Sequence, residues 1–479
     1  MTKVLISRNN QPYQPVNTIH LGLGAFYRAF CCDYFQKINE LKKDSIRVLG
    51  VSMKTPHIVN KLKKQQGVFT AFEKGKEKTV SKKIECIQEL LFSQEDPKYL
   101  LKSLANEKVN LVTITVTEKG YCLIPSSGKL NFNNPDIKND LENPENPKSV
   151  IGYLVYSLNL RKNKNLTPFT CLSCDNIPDN GKVLLNAVLE FAKEIDFNLF
   201  NWLKEYGNFP STMVDRIVPA LTSNDLIDMN NSIVFQDNAP VIHEPYSLWV
   251  IDNKIDFNIK NIFKNSEVLF VDNVKQYEEM KLKCLNGTHS ALAYLGYLSG
   301  YKTIFESIGD AVLLNFTKLL WINEILPTVD APKNFILTNY IKELLDRYNN
   351  PNIEHLNKQI AMDGSQKLPQ RILRTIEENI DNDSGFELLC EVISAWIRYT
   401  SGKDEVGKII EVIDPYATVY FEIHENSKST LDLINSYLKI ENIFSKKLRN
   451  NKKFVNTLNN SLSRQINKGT LESLKEILN

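Results

Sequence analysis

Asn17-Thr-Ile-His-Leu-Gly-Leu-Gly-Ala-Phe-Tyr-Arg28 is the stretch that decides how this chain folds. Residues 17–23 make a short apolar run suited to a buried strand, and the spacing that follows, through Phe35 and Ile38, is helical. A strand, then Gly22-Leu-Gly24, then a helix is the order a pyrophosphate needs. The glycines let it approach the backbone, and the helix start offers N–H groups and a positive dipole end. The third glycine of the dinucleotide fingerprint is missing, so the segment by itself fits an ordinary tight turn as well as a nucleotide site. Gly22, Gly24, Ala25, Phe26 and Arg28 are its candidate cofactor residues.

Val48-Leu-Gly-Val-Ser52 reads as the next parallel strand. An acidic residue near its end would bind ribose hydroxyls, but Ser52, Met53 and Lys54 stand there, so NAD is expected with NADP left open. Further apolar strands fall at 109–116 and 169–173, separated by helical stretches such as 148–161. This alternation predicts an α/β fold, a Rossmann-like doubly wound domain over 1–273. Loops after the carboxyl ends of such strands bind ligands, which adds Thr117, Glu118 and Asn176 as candidates, although Asp175-Asn176 also suits a turn or cap. Beyond Val274 the strand signals fade. Helical stretches at 277–296, 311–325, 339–348, 386–399 and 431–438 predict a mostly α-helical C-terminal domain over 274–479.

The formal charge of +2, from 58 basic and 56 acidic residues, gives no global field to recruit nucleic acid or an anionic membrane. A small-molecule partner is expected instead. No stretch offers about 18 uninterrupted apolar residues, and Met1-Thr-Lys-Val-Leu-Ile-Ser-Arg8 lacks a signal-peptide core, so a cytoplasmic location is expected. The eight cysteines are expected to be free thiols. Cys171-Leu-Ser-Cys174 has redox or metal spacing, yet no second pair completes a zinc site, and no metal is expected.

Chemistry concentrates in Lys281-Leu-Lys-Cys-Leu-Asn-Gly-Thr-His-Ser290. At about 100° per residue, Asn286 lies about 140° and His289 about 80° from Lys281, so one regular helix would present all three on a broad face. A buried lysine serves as general acid/base, an asparagine N–H supports a developing alkoxide, and a histidine orients a hydroxyl. Gly287 costs about 1 kcal/mol against alanine inside a helix, which close approach of a ligand or a second backbone would explain. The same residues also fit a solvated lysine, an Asn-Gly turn and a core histidine.

Together with Ile19-His-Leu-Gly-Leu-Gly-Ala-Phe26, Thr115-Val-Thr-Glu-Lys-Gly-Tyr121, Ser173-Cys-Asp-Asn176 and Met213-Val-Asp-Arg216, that run resembles the polyol-specific long-chain dehydrogenases, the mannitol dehydrogenase family. Within it, Ala361-Met-Asp-Gly-Ser-Gln-Lys-Leu-Pro-Gln-Arg371 is most similar to the fructuronate reductase branch. The resemblance implies an NAD(P)-dependent reductase interconverting D-fructuronate and D-mannonate. Lys281 would be the general acid/base, Asn176 and Asn286 alkoxide donors, His289 a substrate positioner, Glu278 a proton relay and Asp215 a substrate-side group. Lys367 and Arg371 are candidates for a hexuronate carboxylate, or members of a solvated helix face. Mannitol 2-dehydrogenase and tagaturonate reductase are the related alternatives, and a catalytically inactive nucleotide-binding sensor is the alternative of another class. A monomer or simple homo-oligomer is implied. The chain departs from the family pattern at Tyr27 and Phe30, where relatives often carry histidines, and at Ser247-Leu248, where a Gln often precedes the Trp.

Overall fold

Short apolar strands bury completely when helices cover a sheet on both faces, and the four strands formed within the runs found in the sequence do so. In the computed structural model, which describes residues 3–8, 14–42, 46–124, 127–333 and 335–478, five strands form one parallel sheet. Across it they run Ile87–Phe92, Val48–Ser52, Thr18–Leu21, Leu111–Ile114 and Thr170–Ser173. Every residue of Val48–Ser52 is buried. Thr18–Leu21 is first in the chain but third in the sheet, with its successor on one side and Leu111–Ile114 on the other. The order of strand addition reverses there, which opens a crevice at the carboxyl ends of those two strands. Met1 and Thr2, part of the opening segment read above, lie outside the described residues.

The expected strands hold with trimmed ends, whereas the helix expected through Phe35 and Ile38 is two pieces, Ala25–Ala29 and Cys31–Lys42. Two small sheets escaped the sequence reading. Phe69–Lys74 pairs antiparallel with Thr79–Ile84 and parallel with Val241–His243. Leu248–Asp252 pairs antiparallel with Thr212–Asp215 and parallel with Val268–Val271. Val241–His243 is three residues long and Thr79–Ile84 is largely exposed, so neither carries a burial period to find.

The chain divides into two compact units, Met1–Lys275 and Gln276–Asn479. Among the described residues of the second unit there is no strand beyond isolated bridges. Thr288–Leu298 is buried almost all round and packs on Glu387–Tyr399, which in turn packs on Lys452–Lys468. The regular helices expected at 277–296 and 311–325 are not regular. The first is α-helical over Val274–Met280, π-helical over Lys281–Gly287 and α-helical again over Thr288–Leu298. The second turns π-helical at Leu320–Ile325, and a third such segment covers Pro369–Leu373. Two of the three adjoin prolines, Pro327 and Pro369, whose missing N–H removes a helical bond.

Glu324 shows how the second unit is tied together. Its two carboxylate oxygens accept from Leu388 N and Leu389 N, both at 2.8 Å, capping the first turn of Glu387–Tyr399. Burial pushes its carboxyl up to about 7 against the two N–H donors, with the neighbouring Glu387 adding to the rise. A carboxyl raised in the fold binds its proton more tightly there than in the unfolded chain. Its contribution is therefore full below about pH 4.5 and is lost as pH rises through 7. Glu324→Gln is expected to remove a slope on the order of 3 kcal/mol across that window. Thermal melts at pH 4.5 and 7 check this, and parallel melting of wild type and variant at both would refute it.

No described helix is long and apolar enough to cross a membrane, and no described cluster of His, Cys, Asp and Glu could hold a metal. All eight cysteines are buried and unpaired, Cys171 and Cys174 included.

Candidate active site

The turn after Thr18–Leu21 is built around Gly22, whose φ of +107° is a backbone conformation that side chains disfavour. A Cβ there would stand 2.0 Å from the carbonyl oxygen of Thr115. His20 braces the turn from beneath. Its Nε2 lies 2.8 Å from Gly22 O, so that nitrogen carries the proton and Nδ1 accepts from Thr113 Oγ1 at 2.8 Å. Burial holds the imidazole down to about 3, and it therefore stays neutral. The sequence reading passed over His20, because an isolated histidine in a strand carries no spacing signal.

Gly24 differs in kind. A Cβ there would meet nothing closer than Gly22 O at 3.9 Å, so no protein atom requires a glycine at this exposed position. A ligand lying against the backbone would. Gly24 is the N-cap of Ala25–Ala29 without a side-chain cap, which leaves the leading N–H groups of Ala25 and Phe26 as donors outside the helical ladder. These features fit a dinucleotide pyrophosphate. Arg28 points elsewhere: its guanidinium donates to Ala239 O and lies over the Phe69 ring, 5.5 Å from the centroid.

Thr117 and Glu118 are exposed on the loop after Leu111–Ile114, and Asn176 is exposed after Thr170–Ser173. The residue between them is the one that matters for the loops' shape. Buried Asp175 accepts from Val116 N at 3.1 Å, Thr117 N at 2.9 Å and Tyr121 OH at 2.9 Å, clamping one loop to the other. At the end of the second strand Ser52 donates to Thr55 O, and Lys54 forms an exposed ion pair with Asp136 at 3.1 Å.

The departures from the family pattern are absorbed by packing. Tyr27 stacks on His20, with ring centroids 3.2 Å apart. Phe30 packs among Phe26, Tyr34 and Trp249, and Ser247 Oγ accepts from Tyr34 OH at 3.2 Å. Asp215 ends the buried strand Thr212–Asp215.

In the second unit, Lys281 opens the π-helical segment and is buried, Asn286 is half-buried and His289 is buried just beyond it. Hydrogen bonds in a π-turn span five residues, so the angles expected for a regular helix do not apply. The widened turn leaves carbonyls to be satisfied from outside. Cys284 O accepts from Thr288 Oγ1 at 2.6 Å and Trp321 Nε1 at 2.9 Å, and Leu285 O accepts from Tyr348 OH at 3.1 Å. Gly287 is explained by a second backbone: a Cβ would come within 3.1 Å of Arg371 O, in the π-helical segment Pro369–Leu373. Two irregular turns thus meet at a glycine.

That contact carries Arg371 into the Lys281 helix, where its guanidinium donates to Ser290 Oγ at 3.2 Å and reaches Asn286 O at 3.5 Å. Half-buried Lys367 donates to Ile360 O at 3.2 Å. Glu278 is half-buried one turn before Lys281. Burial pushes His289 well below its ordinary value, with the charges of His355, Arg347, Arg371 and Lys281 acting in the same direction. Arg347 and His355 were not singled out in the sequence, since they lie 66 and 74 residues downstream of Lys281 with no shared motif.

Comparison with known proteins gives the same division of the chain. The mannitol dehydrogenase Rossmann domain matches residues 16–263, and the mannitol dehydrogenase C-terminal domain matches residues 273–466. D-mannonate oxidoreductase of Escherichia coli K12 is 38% identical over 95% of this chain and 94% of its own length. Mannitol dehydrogenase 2 of Saccharomyces cerevisiae is 33% identical over 96% and 92%. Among solved structures, the Pseudomonas fluorescens mannitol 2-dehydrogenase ternary complex with NAD and D-mannitol superposes with a TM-score of 0.87 at 29% identity, covering 99% of this chain and 97% of that one.

Proposed function

The chain belongs to the mannitol dehydrogenase family and is an oxidoreductase acting on CH–OH groups, and on that premise we propose that it reduces D-fructuronate to D-mannonate with NADH. The observation that carries the substrate is Arg371, whose guanidinium reaches the backbone carbonyl of Asn286 and the side chain of Ser290 on the Lys281 helix. A hexuronate carboxylate can take two parallel hydrogen bonds from a guanidinium, which a neutral polyol cannot do. The identity to D-mannonate oxidoreductase supports the same choice. NAD rather than NADP is supported by Lys54, whose charge is matched by Asp136.

Bound NADH supplies the hydride from its nicotinamide ring. Lys281 gives the proton to the carbonyl oxygen as it becomes an alkoxide, Asn286 donates an amide N–H to the same oxygen, and neutral His289 orients a neighbouring hydroxyl. Glu278 passes the replacement proton to Lys281. In the first unit, the leading N–H groups of Ala25 and Phe26 would hold the pyrophosphate over the open backbone of Gly24, on the turn that Gly22 makes possible, with Thr117 and Glu118 on the adjoining loop, while Arg28 braces the helix against Ala239 and Phe69. Asn176 and Asp215 keep the alkoxide-donor and substrate-side roles that the family resemblance implies.

NADH oxidation followed at 25 °C with D-fructuronate, D-tagaturonate and D-fructose, and with NADPH in parallel, tests the reading. The expected result is turnover with D-fructuronate and NADH well above every other pair. Faster reduction of D-fructose would overturn it in favour of a mannitol 2-dehydrogenase, which the likeness to that enzyme's ternary complex supports as the second reading.

A further inference from the structure

His355 lies between the helices Leu337–Tyr348 and Asn357–Ile360 on a fixed backbone: its N–H donates to Ile353 O at 2.9 Å and its carbonyl accepts from Ile304 N at 3.0 Å. The ring stands edge-on to His289, with centroids 4.8 Å apart and planes at 86°, and His289 also meets Tyr348 at 4.8 Å. Each imidazole holds a buried nitrogen, Nε2 of His289 and Nδ1 of His355, with no hydrogen-bond partner among the described residues. Buried polar nitrogens are nearly always satisfied, so two exceptions side by side point to a polar ligand.

The charges around the pair say what kind. Arg371, Lys367 and Arg347 act on His355, while Arg347, Arg371 and Lys281 act on His289. Burial first, and these cations second, hold His355 down to about 4, so it enters the site neutral, with one N–H to donate and one lone pair. A neutral donor among cations suits an anion: it adds a directed hydrogen bond without adding repulsion between like charges.

We propose that His355 and Arg347 complete, with Lys367 and Arg371, a carboxylate-binding pocket that selects sugar acids over the neutral sugars of the same skeleton. This deepens the proposed function and rests on it for the identity of the acid. His355 is a specificity-determining residue here: it holds the end of the substrate remote from the keto group and takes no part in proton transfer.

Calorimetric titration of the NADH-bound protein with D-gluconate and with D-glucitol isolates the carboxylate without requiring turnover. Wild type is expected to bind gluconate at least about tenfold more tightly than glucitol. His355→Leu should weaken gluconate about tenfold, leaving glucitol and NADH affinities unchanged. His355→Asn, which returns a polar nitrogen near the Nδ1 position, should recover most of the loss, a rescue that a purely structural role would not give. Equal affinity of wild type for the two probes, or unchanged gluconate binding in His355→Leu, would overturn the pocket. If the protein binds gluconate selectively but does not reduce D-fructuronate, the substrate assignment fails while the pocket stands.

Discussion

Lys281→Ala and Lys281→Met are expected to lower kcat for the ketose by about 10²- to 10⁴-fold, the usual contribution of a positioned general acid or base. Two variants are needed because the side chain is buried: alanine leaves a cavity, whereas methionine fills most of the volume without a proton to give. Both should bind NADH with wild-type affinity, because the features that fit the cofactor's pyrophosphate lie in the other unit, at Gly24 and the start of Ala25–Ala29. Added ethylamine should restore part of the turnover of Lys281→Ala, where there is room for it, and none of that of Lys281→Met. Single-turnover measurements under saturating NADH read the effect directly. A loss of less than about tenfold in both variants would remove Lys281 from the chemistry.

The second large effect separates two glycines that look equivalent in the sequence. Gly22→Ala asks an L-residue to hold φ at +107° with its Cβ 2.0 Å from a backbone oxygen, and neither the turn nor the Thr115 carbonyl can yield without breaking the crevice. A cost of about 3 kcal/mol or more is expected, on the order of 5–10 °C in Tm, together with loss of NADH binding. Gly24→Ala places its Cβ in open space, so Tm should stay unchanged while the Kd for NADH rises about tenfold or more. Differential scanning calorimetry paired with fluorescence titration of NADH distinguishes them. Wild-type NADH affinity in Gly24→Ala would mean that no pyrophosphate lies over that backbone.

These expectations show which features were legible in the residues. The strand, Gly-x-Gly and helix order was readable because each piece is local: an apolar run, a positive φ, a helix start. Lys281, Asn286 and His289 were readable as a set because they share one short run. Their arrangement was not, because a π-turn is held by partners far away in sequence. Trp321 and Tyr348 satisfy carbonyls that a regular helix would have satisfied itself, and the nearest clue, Gly287, makes sense only when Arg371 O is found against it. His20 went unnoticed, and Asp175 was legible only as a turn or cap residue, for the same reason, since each acts by joining strands or loops that the chain visits about 60 to 90 residues apart.

The sequence by itself determined the fold class and the family, and it named the residues proposed here for proton transfer, since periodicity and short motifs are properties of neighbours along the chain. Only the tertiary structure decided that Gly22 serves the protein while Gly24 is left open to a ligand. It alone set Arg371 on the Lys281 helix and brought His355 against His289 among cations. Those facts depend on which groups burial brings together, and burial is fixed by packing across the whole unit.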